Sequence, residues 1–200
     1  MVRRGLFVLV FASLGLCAPA RADDAEDKAA ALVEKMLGRA IRDEQAPGKP
    51  VVRVVLFDSK VTDAELKELA ALKNLTRLEL VGTKVTDAGL KELAPLKNLT
   101  TLSLNRTVVT GADLKELAPL TNLADLSLAF TPVDDAALKE LAPLKNLTGL
   151  NLTATKVTDA GVRELAALKN LTTLHLTVTR ATDAGVKELQ RALPKCKVLK

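Results

Sequence analysis

The residues able to do chemistry in this 200-residue chain are few, and their spacing does not bring them together. His175 is the one histidine, and Cys17 and Cys196 are the two cysteines. A zinc site wants several His, Cys or carboxylate ligands, and a nucleophile triad needs a base held by a third group. The chain offers no such set around His175. Carboxylates are plentiful, and a facing pair would suit glycoside hydrolysis. The recurring acids Glu68, Glu92, Glu116, Glu140, Glu164 and Glu188, however, each follow a Lys or Arg at a constant interval of 24 residues. That spacing lays them along an outward helix side as a solvated stripe. The glycines of the T-D-A-G segments lack the Lys-Ser/Thr ending of a phosphate-binding loop. The expectation is a chain with no catalytic residues, no cofactor and no metal.

Six Asn-x-Thr sequons occur, at Asn74, Asn98, Asn105, Asn146, Asn151 and Asn170. Four of them share one position of a repeating pattern, which reads as turn-forming asparagine rather than as modification sites.

The elements that would position these residues come from that pattern. A shift of 24 residues superposes 72–95, 96–119, 120–143, 144–167 and 168–191, and a degenerate copy occupies 48–71. Within a copy the hydrophobic period changes. Leu102 and Leu104 alternate with Thr101, Ser103 and Asn105, as in a short strand with one buried face. Leu114 and Leu117 stand three apart, which suits a short helix with one apolar side. Thr-Asp pairs such as Thr86-Asp87 and Thr158-Asp159 sit between the two, where they can cap the helix.

One such unit cannot bury its own leucines, so the copies must stack. Period, L-x-x-L-x-L core and strand-plus-helix content resemble a leucine-rich repeat over about residues 48–199. The T-D-A-G-L half is similar to the cysteine-containing repeats of F-box-type proteins, although 24 residues is shorter than that class, and the chain also resembles the short, regular repeats of bacterial envelope proteins. The resemblance implies an α/β right-handed solenoid, a horseshoe with a parallel sheet on its concave face and short helices on its convex face. Where the family usually has Asn or Cys after the strand, this chain has Ser59, Thr83, Thr107, Thr131, Thr155 and Thr179, read as a hydroxyl ladder that bonds neighbouring turns.

The same resemblance implies a partner-binding concave face carried by the residues beside the inward leucines. Those are Arg53, Phe57, Arg77, Glu79, Ser103, Asn105, Asp125, Asn151 and His175, with exposed arginines and an aromatic as first anchors. A protein partner follows by analogy, with a structural or self-associating envelope role as the alternative. The irregular copies, with Asn105-Arg106, Gly111-Ala112-Asp113, Phe130, Pro132 and Asp134-Asp135, read as drift in tolerant loops or as a contact surface.

The ends bound the rest. Arg3 and Arg4, an apolar run over 5–16 and Ala20-Arg21-Ala22 are the three regions of a secretory signal peptide over 1–22. The run is too short to span a bilayer, so no transmembrane segment is expected after cleavage. Leu16 before Cys17 argues against lipidation at that thiol. Removing Arg3, Arg4 and Arg21 from 29 basic residues leaves 26 against 24 acids, a charge of +2 in place of the formal +5. With no Trp or Tyr for stacking, nucleic acid is an unsuitable partner. Residues 23–47 read as a helical N-terminal cap with Gly38 as the helix stop, 48–191 as six repeats, and 192–200 as a truncated terminal strand. Cys196 falls in the leucine register and is expected in the core, in a monomer or weakly self-associating chain.

Overall fold

A computed structural model describes residues 22–200, so all but the last residue of the segment read as a signal peptide lies outside the described residues. One eight-stranded sheet runs through the molecule in chain order. Its strands are β1 (Arg39–Arg42), β2 (Val51–Phe57), β3 (Arg77–Val81), β4 (Thr101–Ser103), β5 (Asp125–Ser127), β6 (Gly149–Asn151), β7 (Thr173–His175) and β8 (Lys197–Leu199). From β2 to β8 all pairings are parallel, and Arg53, Arg77, Thr101, Asp125, Gly149, Thr173 and Lys197 stand in one row.

That row follows from the constant repeat length, which brings each strand back beside its predecessor without a slip. The inward leucines form the core. In residues 96–119, Leu96, Leu99, Leu102, Leu104, Val109, Leu114 and Leu117 are all buried, and the neighbouring copies repeat the set. Burying each Leu contributes about 1.5–3 kcal/mol, so the columns stabilise every junction between copies.

The convex side is less helical than the apolar spacing suggests. True α-helix occurs in α2 (Asp63–Leu69), α3 (Asp135–Leu138), α4 (Asp159–Glu164) and α5 (Asp183–Ala192), whereas Asp87–Leu93 and Leu114–Leu117 are 3₁₀ helices. A short repeat leaves little chain to cross the back of the solenoid, and 3₁₀ geometry rises more per residue than α. Three residues per turn also aligns Leu114 with Leu117.

The hydroxyl ladder sits elsewhere than expected. Thr83, Thr107, Thr131, Thr155 and Thr179 each donate to the carbonyl three residues back, closing their own turn, at 2.6–3.0 Å. Ser59 Oγ is buried with no partner. The copies are stitched by different side chains. Thr76, Thr100, Thr148 and Thr172, before the strands, donate to carbonyls 24 residues back. Asn98, Asn122, Asn146 and Asn170 donate through Nδ2 to carbonyls 25 residues back, which gives three sequon positions a structural task.

The N-terminal segment is helix α1 (Ala22–Lys35) followed by β1, which pairs antiparallel with β2. Ala29, Ala30 and Val33 are buried against the first repeat, and Asp27 holds Arg42 at 2.6 Å. The helix stop differs by one residue. Gly38 N–H reaches Val33 O and Leu37 N–H reaches Glu34 O, so Leu37, at φ +60°, takes the left-handed position usually given to glycine. Gly38 is required for space instead, since a Cβ there would meet Leu56, Val33 and the Val55 carbonyl.

At the far end, Val198 pairs with Leu174, so Val198 takes the inward strand position. Cys196 N–H bonds Leu193 O just as Leu171 N–H bonds Leu168 O, which places Cys196 with the loop leucines. It is buried, as the sequence predicts, but one leucine position earlier.

Candidate functional site

Alternation within each strand sends Leu78 and Leu80 inward and leaves Arg77, Glu79 and Val81 on the open face. Repetition extends that face across the sheet as a groove of about 590 Å³. Of the residues singled out from sequence, Phe57, Arg77, Glu79, Ser103, Asn105, Asp125, Asn151 and His175 line this groove, and Arg53 lines an adjoining cleft that shares Phe57.

Their states differ. Arg53 and Arg77, paired in one row across β2 and β3, both reach Glu79 Oε1 at 2.8 Å. The Glu79 side chain is 12% exposed, so it acts as the fixed centre between two guanidinium groups that keep their remaining donors on the open face. Phe57 is 55% exposed: the N-terminal segment leaves the ring open to solvent. Asn105 is turned to internal work, with Oδ1 accepting from Ser127 Oγ at 2.6 Å and Ala129 N–H at 2.9 Å. Asn151 Oδ1 accepts from Thr153 N–H. Asp125 leans over Gly149, where a Cβ would strike its carboxylate. Ser103 Oγ is enclosed and unpaired, and His175 is half-buried beside Asn151 in the paired row.

The sequence reading passed over the continuation of this face onto β1. Arg39 pairs with Val55 and Ile41 with Arg53, so Arg39 and Ile41 lie on the concave side. With Leu37 they line the cleft of about 530 Å³ that adjoins the groove. The available signal was Leu37 itself, a large apolar residue immediately before Gly38.

A second exposed feature lies along the turns after the strands. Asp58, Gly82, Arg106, Phe130, Ala154 and Val178 all have positive φ, at the same place in successive repeats. The Arg106 guanidinium stands 5.4 Å from the centre of the Phe130 ring, a cation–π arrangement at an exposed site.

The recurrent glutamates of the convex side are exposed or half-exposed, and Arg163–Glu188 is an ion pair with both partners about half in solvent, which contributes little. Burial pushes the Cys196 thiol up, away from thiolate. Among the described residues no three His, Cys, Asp or Glu side chains lie together as a metal site, and no helix is long and apolar enough to cross a membrane.

An open sheet of parallel strands, each returning through a short helical segment at a fixed interval, is a solenoid that presents one continuous concave surface. The comparisons with known proteins then place it. The family described as "Leucine Rich repeat" matches residues 71–94. The fold matches a leucine-rich repeat protein of Leptospira interrogans at 30% identity and TM-score 0.55, over 66% of this chain and 33% of that one. It also matches internalin C2 of Listeria monocytogenes at 23% identity and TM-score 0.57, over 88% of this chain and 81% of that one. Internalin F of the same organism matches at 22% identity and TM-score 0.54, over 87% and 54%. The chain thus spans a third of the Leptospira protein's length. No curated protein matches the sequence. Residues 71–94 thus match the leucine-rich repeat family, and the fold of the chain is that of leucine-rich repeat proteins.

Proposed function

We propose that this chain is an exported, non-catalytic binding module that holds a protein partner against its concave sheet. One observation carries the reading: the half-exposed Phe57 ring stands beside two arginines fixed on a single carboxylate, at the mouth of a groove that crosses the sheet. Aromatic and arginine side chains are the residue types that become interface anchors, and those held in place before binding lose less entropy on contact. An open groove that crosses several strands suits a protein surface better than a small substrate. Export is supported by the basic, apolar and small-residue regions of 1–22.

The test is affinity capture from the native host's envelope fraction. The bait is the chain beside a version with Phe57→Thr, Arg53→Gln, Arg77→Gln and Glu79→Gln, changed together so that no charge is left alone. A partner held only by the unaltered bait supports the concave reading. Equal capture by both moves the site to the convex side or the turns. If neither captures a partner and the chain alone grows in mass with concentration in light scattering, the self-associating role takes its place.

A further inference from the structure

We infer that the N-terminal cap is part of the binding surface, and that the surface it completes is built for an acidic polypeptide segment with one apolar edge. The inference rests on the concave face being the binding face. It adds the cap to that face and names the partner's chemistry.

The argument comes from the rows that cross the strands. The paired positions Ile41, Arg53 and Arg77 form one row, and Arg39, Val55 and Glu79 the next. Phe57 and Val81 form the third, and Leu37 closes its cleft on the cap side. An apolar rail of Leu37, Phe57 and Val81 therefore runs parallel to a cationic rail of Arg53 and Arg77, four residues away along the strand, or roughly 13 Å. Arg39 adds a third cation between the rails. Three arginines against the single acid Glu79 leave this end of the groove at +2, and Glu79 is already shared between two of them. A carboxylate edge laid along the arginines would meet their free donors, while its apolar edge would cover Leu37 and Phe57. Asp58 and Glu65 line a neighbouring cleft together with Lys35 and Lys60, which balance them, so these acids do not cancel the excess.

Leu37 supplies an independent sign that the cap does more than seal the first repeat. It is 95% exposed and sits at φ +60°, where glycine would serve the helix end better. Together with Ile41 and Phe57 it makes three of the six exposed large apolar side chains among the described residues, all lining one cleft. Strands β1 to β4 span about 15 Å, a width that about five extended residues cross.

The test selects peptides of about 12 random residues, long enough to cross those strands, on the full chain and measures synthetic versions of those enriched. The expected binders carry carboxylates together with Leu, Ile or Phe. Their affinity falls about tenfold or more with Leu37→Gly, with Arg39→Gln, and when the peptide's acids become amides, and is unmoved by Phe130→Ser. Leu37→Gly suits its backbone angle, so melting curves separate lost contact from lost fold. Peptides that bind indifferently to Leu37→Gly and Arg39→Gln but are lost with Asn151→Ala and His175→Ala would overturn this inference and leave the concave reading standing. Enrichment without acidic residues, or no enrichment at all, would also overturn it, and the capture experiment would then judge the concave face alone.

Discussion

Asp135 accepts from Thr158 twice, from its backbone N–H and from its hydroxyl, both at 2.7 Å, although the two residues belong to successive repeats. Asp63 does the same for Thr86, Asp87 for Thr110 and Asp159 for Thr182. The Thr-Asp pair thus divides its work. Thr158 and Thr182 cap their own helices, through Ala160 N–H and Gly185 N–H, while aspartate reaches forward to the next cap. The T-D-A-G glycine belongs to the same device, because a Cβ at Gly89, Gly161 or Gly185 would strike the aspartate of the preceding repeat.

Asp135→Ala should therefore destabilise the solenoid by about 1–3 kcal/mol, the range for leaving donors without a charged partner. Asp183→Ala is the control. Its carboxylate is 85% exposed and holds only Lys200, so its loss should be near zero. Urea unfolding of both variants decides it, and equal losses would contradict the ladder.

The ladder also sets a pH dependence. The Thr182 hydroxyl, and after it the Thr182 N–H, hold the Asp159 carboxyl below the usual carboxylate range. A carboxyl lowered on folding binds more protons when unfolded, so its contribution is complete above the unfolded pKa, about 3.9, and is lost as pH falls through the folded value. Stability measured from pH 6 downward should fall less steeply below about pH 4 in Asp159→Asn than in the parent. Parallel curves would show that the carboxylate is not the acid-sensitive group.

The stitch fails at one junction, and three substitutions coincide there. Gly111 stands where aspartate should, Asp134 where the receiving threonine should, and Ala137 where the glycine should. The Ala137 methyl fills the space that a Cβ on Gly111 would enter, and Gly111 has φ +95°. Gly111→Ala should cost about 1–3 kcal/mol through both backbone strain and overlap. Adding Ala137→Gly should recover the overlap and leave the strain, so the pair should cost less than the sum of the two single changes. Additive losses in a denaturation cycle would break the link between these positions.

This junction shows where sequence reasoning stops. The period of 24 and the alternation of Leu102 with its neighbours were enough to read strands, inward leucines and the row of concave residues, because each depends only on local spacing. Which threonine stitches and which closes its own turn was not legible. Thr76 and Thr83 carry the same hydroxyl, and only three-dimensional register decides whether a carbonyl of the previous repeat is within reach. Arg39 to Arg42 read as a short strand, but its place on the concave face was hidden for a similar reason. Arg39 and Ile41 join the concave face through antiparallel pairing across the loop between β1 and β2, which no repeat period encodes. From sequence, the irregular copy around Gly111 reads as drift or as a contact surface; its link to 134 and 137 shows only when those residues stand beside it.

Leu37 makes the last prediction, on stability alone. A bulky residue in the left-handed position strains its backbone, and this one gains almost no burial in return. Leu37→Gly removes the Cβ conflict and loosens the unfolded chain, two effects of opposite sign, of which relief of the positive φ should win by about 0.5–1 kcal/mol. The neighbouring bonds, Gly38 N–H to Val33 O and Leu37 N–H to Glu34 O, need no side chain and should persist. The melting temperature should therefore rise. A fall would mean that the Leu37 side chain supports the cap against the first repeat, and that its exposure understates its packing.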